Sequence, residues 1–165
     1  PYQVAGANTL FAWFRRGIGG ILGDEMGLGK TVQTITLLAG LKHSGALPGP
    51  HLVVTPLAVL QNWANEFTRF APSVTFKKVY GSLSERNQIL SDEDTVAGKY
   101  DVYLTTYEVL ISEEPFFSDA FPWATITLDE GHRIKNENAR VCQSLNRIHC
   151  PFRLLLTGTP LQNDL

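Results

Sequence analysis

Cysteine is scarce: the 165-residue chain has only Cys142 and Cys150. Two cysteines build no disulfide framework, and a C-x7-C pair beside His149 lacks the short spacing of zinc ligands, so both read as free thiols. Charge of one sign is also missing, with 14 Lys plus Arg against 16 Asp plus Glu and a formal net charge of -2. Composition therefore supplies no general attraction to nucleic acid, and any such contact must be local. No apolar run approaches the ~20 residues that span a bilayer, and no N-terminal signal sequence is visible. The expectation is a reducing, intracellular setting with no membrane partner. Internal repeats and low-complexity tracts are absent too.

What is present is a chain that is 44% hydrophobic, enough to bury one substantial core in one globular domain. Short apolar runs alternate with amphipathic stretches, the pattern of strands covered by helices in a mostly parallel α/β sheet. The strand candidates are 17–23, 51–55, 74–80, 101–106, 124–129 and 153–157. A helix is predicted after Thr55-Pro56, where Thr55 can cap and Pro56 suits the first turn. Leu60, Trp63, Ala64 and Phe67 then recur at helical spacing, which assigns Trp63 and Phe67 to the core. Further helices are predicted from Gly29 toward Leu41 and over 138–148, the latter with Val141, Leu145 and Ile148 on one face. The stretches 44–50 and 91–99 read as loops.

The segment Gly23-Asp24-Glu25-Met26-Gly27-Leu28-Gly29-Lys30-Thr31 follows an apolar strand and opens a helix, the context that a phosphate-binding loop requires. Glycines let the backbone fold tightly, so that N-H groups around Gly27, Leu28 and Gly29 and the positive helix end can surround phosphates. Lys30 would neutralise charge and Thr31 ligate Mg²⁺. Asp24 stands where the strict G-x-x-x-x-G-K-T pattern has its first glycine. Far along the chain, the run 126–128 ends in Asp129-Glu130-Gly131-His132. Ligands bind at the carboxyl ends of parallel strands, which would bring both carboxylates to the phosphate loop. Asp129 would hold Mg²⁺ through water, and Glu130 would orient or deprotonate an attacking water. These parts describe an NTPase and leave open what its hydrolysis drives.

Read in order, Pro1-Tyr2-Gln3, DEMGLGKT, VVTPLAVLQNW, LTTYEVL, LDEGHRIKN and LLLTGTPLQN resemble the first motor lobe of Swi/Snf-related chromatin-remodelling ATPases, within helicase superfamily two. ISWI-like and lymphoid-helicase-like subfamilies both fit. The resemblance implies a RecA-like P-loop NTPase lobe over 1–165, a fragment lacking the second lobe and its arginine finger. It implies ATP and Mg²⁺ as cofactors, double-stranded DNA and nucleosomes as partners of the full protein, and the nucleus as its location. Gln3 would read adenine. Thr55, Pro56, Thr105 and Thr106 match segments that touch the DNA backbone, where hydroxyls and backbone N-H groups suit phosphate oxygens. Thr157, Gly158 and Thr159 match a coupler between nucleotide state and DNA contact, and His132 would link it to the acidic box. Arg133 and Lys135 read equally as phosphate contacts or a solvated pair. Gly131, where much of the family has alanine, is expected to be tolerated. A strand-separating helicase and a nonhydrolysing nucleotide-gated module are the competing expectations.

Overall fold

A computed structural model describes residues 2–17, 19–23, 29–47, 49–131 and 139–158. In chain order it contains α1 (Tyr2–Arg15), β1 (Gly20–Gly23), α2 (Lys30–Ser44), β2 (His51–Thr55), α3 (Leu57–Phe70), β3 (Phe76–Val79) and α4 (Leu83–Ser91). There follow α5 (Glu93–Val96), β4 (Val102–Thr106), α6 (Tyr107–Ser112), α7 (Glu114–Asp119), β5 (Thr125–Leu128), α8 (Ala139–Arg147) and β6 (Arg153–Thr157). The strands form a sheet in the order β1-β6-β5-β2-β4-β3. Every pairing among the described residues is parallel, so the expectation of a mostly parallel sheet is met in full.

Parallel strands need crossover connections, and the helices that make them cover both faces of the sheet. Side chains alternate between those faces. Val53, Leu104 and Leu156 pack with Leu10 of α1, Ile35, Leu38 and Leu41 of α2, and Trp63 and Phe67 of α3. Leu52, Val54, Tyr103 and Ile126 point the other way and pack with Leu110 of α6, Phe117 of α7, and Val141 and Leu145 of α8. Because both faces are buried, β2 and β4 are buried at every position. That is why they read as continuous apolar runs. The helical stripe of α3 is buried as expected, and so is the face of α8.

Several local expectations are corrected. Thr55 does not cap α3: Pro56 occupies the cap position with no side-chain hydrogen bond, and the Thr55 hydroxyl turns to Asp129 at 3.2 Å. The predicted loop at 91–99 contains α5, whose four residues are too few to show a period; Asp92 caps it by accepting from Thr95 N. Helix α4 lies in a gap between strand candidates, where covering helices were expected without bounds, and Ser82 and Glu85 form its capping box. Helices α1, α6 and α7 are further elements beyond the strand and helix candidates.

At the edge opposite the strands' carboxyl ends, Lys42 Nζ bonds Asp101 Oδ2 at 2.7 Å and the Ser73 carbonyl at 2.6 Å. Asp101 also accepts from Thr75 N at 2.6 Å, so the end of α2 is tied to the starts of β3 and β4. Nearby, His51 lies buried with Nδ1 3.0 Å from Thr125 Oγ1. Burial pushes its pKa down to about 4, against the opposing pull of Asp101 and the Leu47 backbone.

Two predictions follow from this packing. Gly40 of α2 receives the Phe11 ring of α1 where a Cβ would overlap the ring tip. Gly40→Ala is therefore expected to lower unfolding free energy by about 1–3 kcal/mol in urea titration, with part of the loss recovered when Phe11→Leu is added. For His51, the unfolded ring takes up a proton near pH 6.5 that the folded ring refuses until about pH 4. Stability therefore falls as pH drops through that window, by roughly 2 kcal/mol at pH 5, and is insensitive to this group above it. Urea midpoints measured from pH 7 to 4.5 should show this decline, and His51→Leu should lack that component.

Candidate nucleotide site

All strands run the same way, so β1, β5, β6, β2 and β4 deliver their carboxyl ends to one edge of the sheet. A cavity of about 360 Å³ opens there. It is lined by Lys30 and Thr31 from the first turn of α2, by Trp63 and Glu66 from α3, and by Asp129 and Glu130 after β5. The lysine-threonine pair and the acidic box, far apart in the sequence, thus share one space. Gly29 enters α2 at φ 82°, a left-handed conformation that favours glycine, and its carbonyl accepts from Gln33 N at 2.9 Å. The first turn of α2 lies at the cavity wall, with its backbone N-H groups and the positive end of the helix dipole. An anion is the natural complement.

Both carboxylate oxygens of Asp129 are hydrogen-bonded. Its Oδ2 accepts from Trp63 Nε1 at 2.8 Å and from Thr55 Oγ1 at 3.2 Å, and its Oδ1 accepts from Glu130 N at 3.0 Å. Its backbone N donates to Val54 O at 2.8 Å, and its carbonyl accepts from Tyr107 Oη at 2.6 Å. Glu130 follows with φ 53°, a conformation uncommon for a residue with a side chain. This turn takes Glu130 out of the strand direction and onto the cavity wall. Trp63 was assigned to the core by its spacing, and it is fully buried. Its hydrogen bond to Asp129 adds a second task that spacing could not reveal. The available signal was chemical: indole is a donor, and a buried Trp N-H usually finds an acceptor.

The remaining predicted residues divide. Thr157 pairs in register with Gly23, while Leu155 pairs with Leu128, so β6 ends between the phosphate-loop strand and the acidic-box strand. Thr157 is buried and Gly158 half-buried there. Gln3 falls in the first turn of α1, with its side chain outside what is described. Gly27, Leu28, His132, Arg133, Lys135 and Thr159 lie outside the described residues. An alanine at Gly131 would put its Cβ 3.0 Å from Leu155 Cγ, so that side chain must yield by a few tenths of an ångström.

The hydroxyls expected to meet DNA phosphates are turned inward. Thr55, Thr105 and Thr106 are at most 1% exposed, and Pro56 is buried. Thr55 bonds Asp129, Thr105 Oγ1 donates to Val79 O at 2.9 Å, and Thr106 Oγ1 caps α6 by accepting from Val109 N at 3.3 Å. These side chains hold the site together. The neighbouring exposed residues Leu57 and Ala58, at the start of α3, are the ones open to solvent.

A parallel α/β sheet with a glycine-entered helix and two carboxylates around one cavity defines a nucleotide-binding lobe of RecA-like fold. Comparison with known proteins makes this specific. The model of the SNF2-related domain matches residues 2–165, and the chain belongs to that family. It is 46% identical over 164 residues to the human SWI/SNF-related matrix-associated actin-dependent regulator of chromatin subfamily A member 1, covering 99% of this chain and 16% of that protein. It is 48% identical to the Arabidopsis thaliana ISWI chromatin-remodeling complex ATPase CHR17, again over 99% of this chain and 15% of the relative. Among solved structures, the Sulfolobus solfataricus SWI2/SNF2 ATPase core in complex with dsDNA superposes with a TM-score of 0.86 at 35% identity. That match covers 99% of this chain and 32% of the other. The chain thus spans about a sixth of the length of the curated relatives it matches.

The inward hydroxyls lead to a stability prediction. Thr106→Ala removes the cap of α6 and Thr105→Val a buried hydrogen bond, so each should lower unfolding free energy by about 1 kcal/mol. Urea titration checks this; unchanged midpoints would instead place these hydroxyls free at the surface.

Proposed function

We propose that this chain is the ATP-binding and hydrolysing lobe of a double-stranded DNA translocase that remodels chromatin in the nucleus. The observation that carries this reading is the single cavity shared by Lys30, Thr31, Asp129 and Glu130. Similarity to an ATPase core named as a dsDNA complex, and to chromatin-remodelling ATPases, supports the choice of DNA and nucleosomes as partners.

The residues present suit Mg²⁺, a hard cation that takes oxygen ligands and keeps several waters. Thr31 offers a hydroxyl oxygen. Asp129, with three of its roughly four acceptor positions filled by protein donors, offers one more. Bound Mg²⁺ would neutralise charge on the β- and γ-phosphates. The chain's own residues would do the rest. Lys30 and the N-H groups at the start of α2 hold the phosphates, and Glu130 orients the attacking water and accepts its proton. Gln3 at the start of α1 reads the adenine edge through its amide. Thr157, Gly158, Thr159 and His132 link the cavity to the DNA-gripping edge, a role favoured by the position of β6 between β1 and β5. The DNA backbone would be met beside Thr55-Pro56 by backbone N-H groups at the exposed start of α3, Leu57 and Ala58, since the Thr55, Thr105 and Thr106 hydroxyls point inward. A second RecA-like lobe in the same protein would supply an arginine against the γ-phosphate, closing on ATP and opening after hydrolysis to advance the grip.

In the full-length protein, Glu130→Gln is expected to lower DNA-stimulated ATP hydrolysis by about 10²-fold or more while ATP binding persists. Lys30→Ala should abolish binding. Residues 1–165 alone should hydrolyse ATP very poorly, because an arginine finger contributes about 10³ to 10⁵ in rate. Hydrolysis unaffected by Glu130→Gln would leave only a nucleotide-gated binding module. Strand displacement in place of nucleosome sliding by the full-length protein would mark a helicase.

A further inference from the structure

Trp63 meets two requirements, and packing accounts for only one of them. Its ring lies in the same core cluster as Phe67, with ring centroids 6.2 Å apart, and Phe67 fills its place with no polar atom at all. A phenylalanine at 63 would keep an aromatic ring in that cluster. What the indole adds is one N-H, a group that donates and never accepts, placed 2.8 Å from Asp129 Oδ2 where both residues are buried. Thr55 Oγ1 takes the other acceptor position of Oδ2 at 3.2 Å. Glu130 N takes one position on Oδ1 at 3.0 Å. A carboxylate has about four acceptor positions, so the one left open belongs to Oδ1.

We propose that Trp63 is a positioning residue for the nucleotide-bound cation. By occupying Oδ2 its indole N-H locks the Asp129 carboxylate so that Oδ1 alone is available to a metal-bound water in the cavity shared with Lys30 and Thr31. Helix α3 thereby sets the orientation of a carboxylate that directly follows β5. This rests on the reading of Asp129 as the residue that holds Mg²⁺ through water. Burial makes the lock stiff, since a buried carboxylate that loses one of its donors reorients toward another. The same logic explains why groups that orient a metal-holding side chain affect metal affinity without touching the metal.

The test uses the full-length protein and a fluorescent non-hydrolysable ATP analogue, titrated without divalent cation and then over a range of Mg²⁺ concentrations. Trp63→Phe removes the N-H and retains an aromatic ring. The expected result is that the Mg²⁺ concentration giving half of the metal-dependent tightening rises about tenfold, while the metal-free dissociation constant changes less than about twofold. A purely structural role would move both quantities together or neither, and either result overturns the proposal. Should Trp63→Phe fail to fold, replacing the indole by a benzothiophene, which keeps the shape and lacks the N-H, gives the same two readings. Asp129→Asn separates the levels of the argument. If it raises the Mg²⁺ requirement and Trp63→Phe does not, the positioning role alone is wrong. If Asp129→Asn itself leaves the requirement unchanged, the metal-holding reading beneath it is wrong.

Discussion

Parallel strand pairing is the constraint on which the other features of this lobe depend. A parallel neighbour cannot be reached by a tight turn, so each strand is followed by a connection that crosses a face of the sheet, and both faces become buried. The same geometry sends the strand ends to one edge. There the start of α2, the acidic turn after β5, the end of β6 and the starts of α3 and α6 come together without any interaction between their sequences being needed to recruit them. The cavity between Lys30 and Asp129 is therefore a consequence of topology before it is a consequence of side-chain chemistry.

Chemistry then decides which groups at that edge are available. Thr55 at the end of β2, Trp63 in the helix after it and Tyr107 directly after β4 all direct donors to Asp129. The burial of Thr55 and Trp63 removes them from competition with solvent and gives the Asp129 carboxylate a defined orientation, while Tyr107 holds the backbone carbonyl of the same residue. The segments that family resemblance connects with DNA are thus in direct hydrogen-bonded contact with the acidic box. Lys42, Asp101 and Thr75 perform an architectural version of the same task at the opposite edge, tying the end of α2 to the starts of β3 and β4.

Much of the architecture was legible because it depends on period and local chemistry. The runs 51–55 and 153–157 coincide with β2 and β6, and the other strand candidates exceed their strands by one to three residues at an end. Helix α3 was visible in the spacing of Leu60, Trp63, Ala64 and Phe67, and the start of α2 in the glycine followed by Lys30 and Thr31. The short helices were harder: α5, α6 and α7 have too few residues for a 3.6-residue repeat to appear. Helix α4 lacks buried residues and so has no apolar stripe, although its Ser82 and Glu85 capping pair was present to be read.

The amino-acid sequence by itself determined the class of chemistry: a phosphate loop, an acidic strand end and an alternation of strands and helices are local patterns, and each carries its physical cause within a few residues. Only the tertiary structure decided what the hydroxyls and the indole do. Thr55, Thr105 and Thr106 look from their motifs like groups for a phosphate, yet their bonds go to Asp129, Val79 and Val109. Trp63 looks like a core residue and is also a donor to Asp129. A donor's partner is set by direction and distance across elements far apart in the chain, and those are quantities that residue type and spacing do not contain.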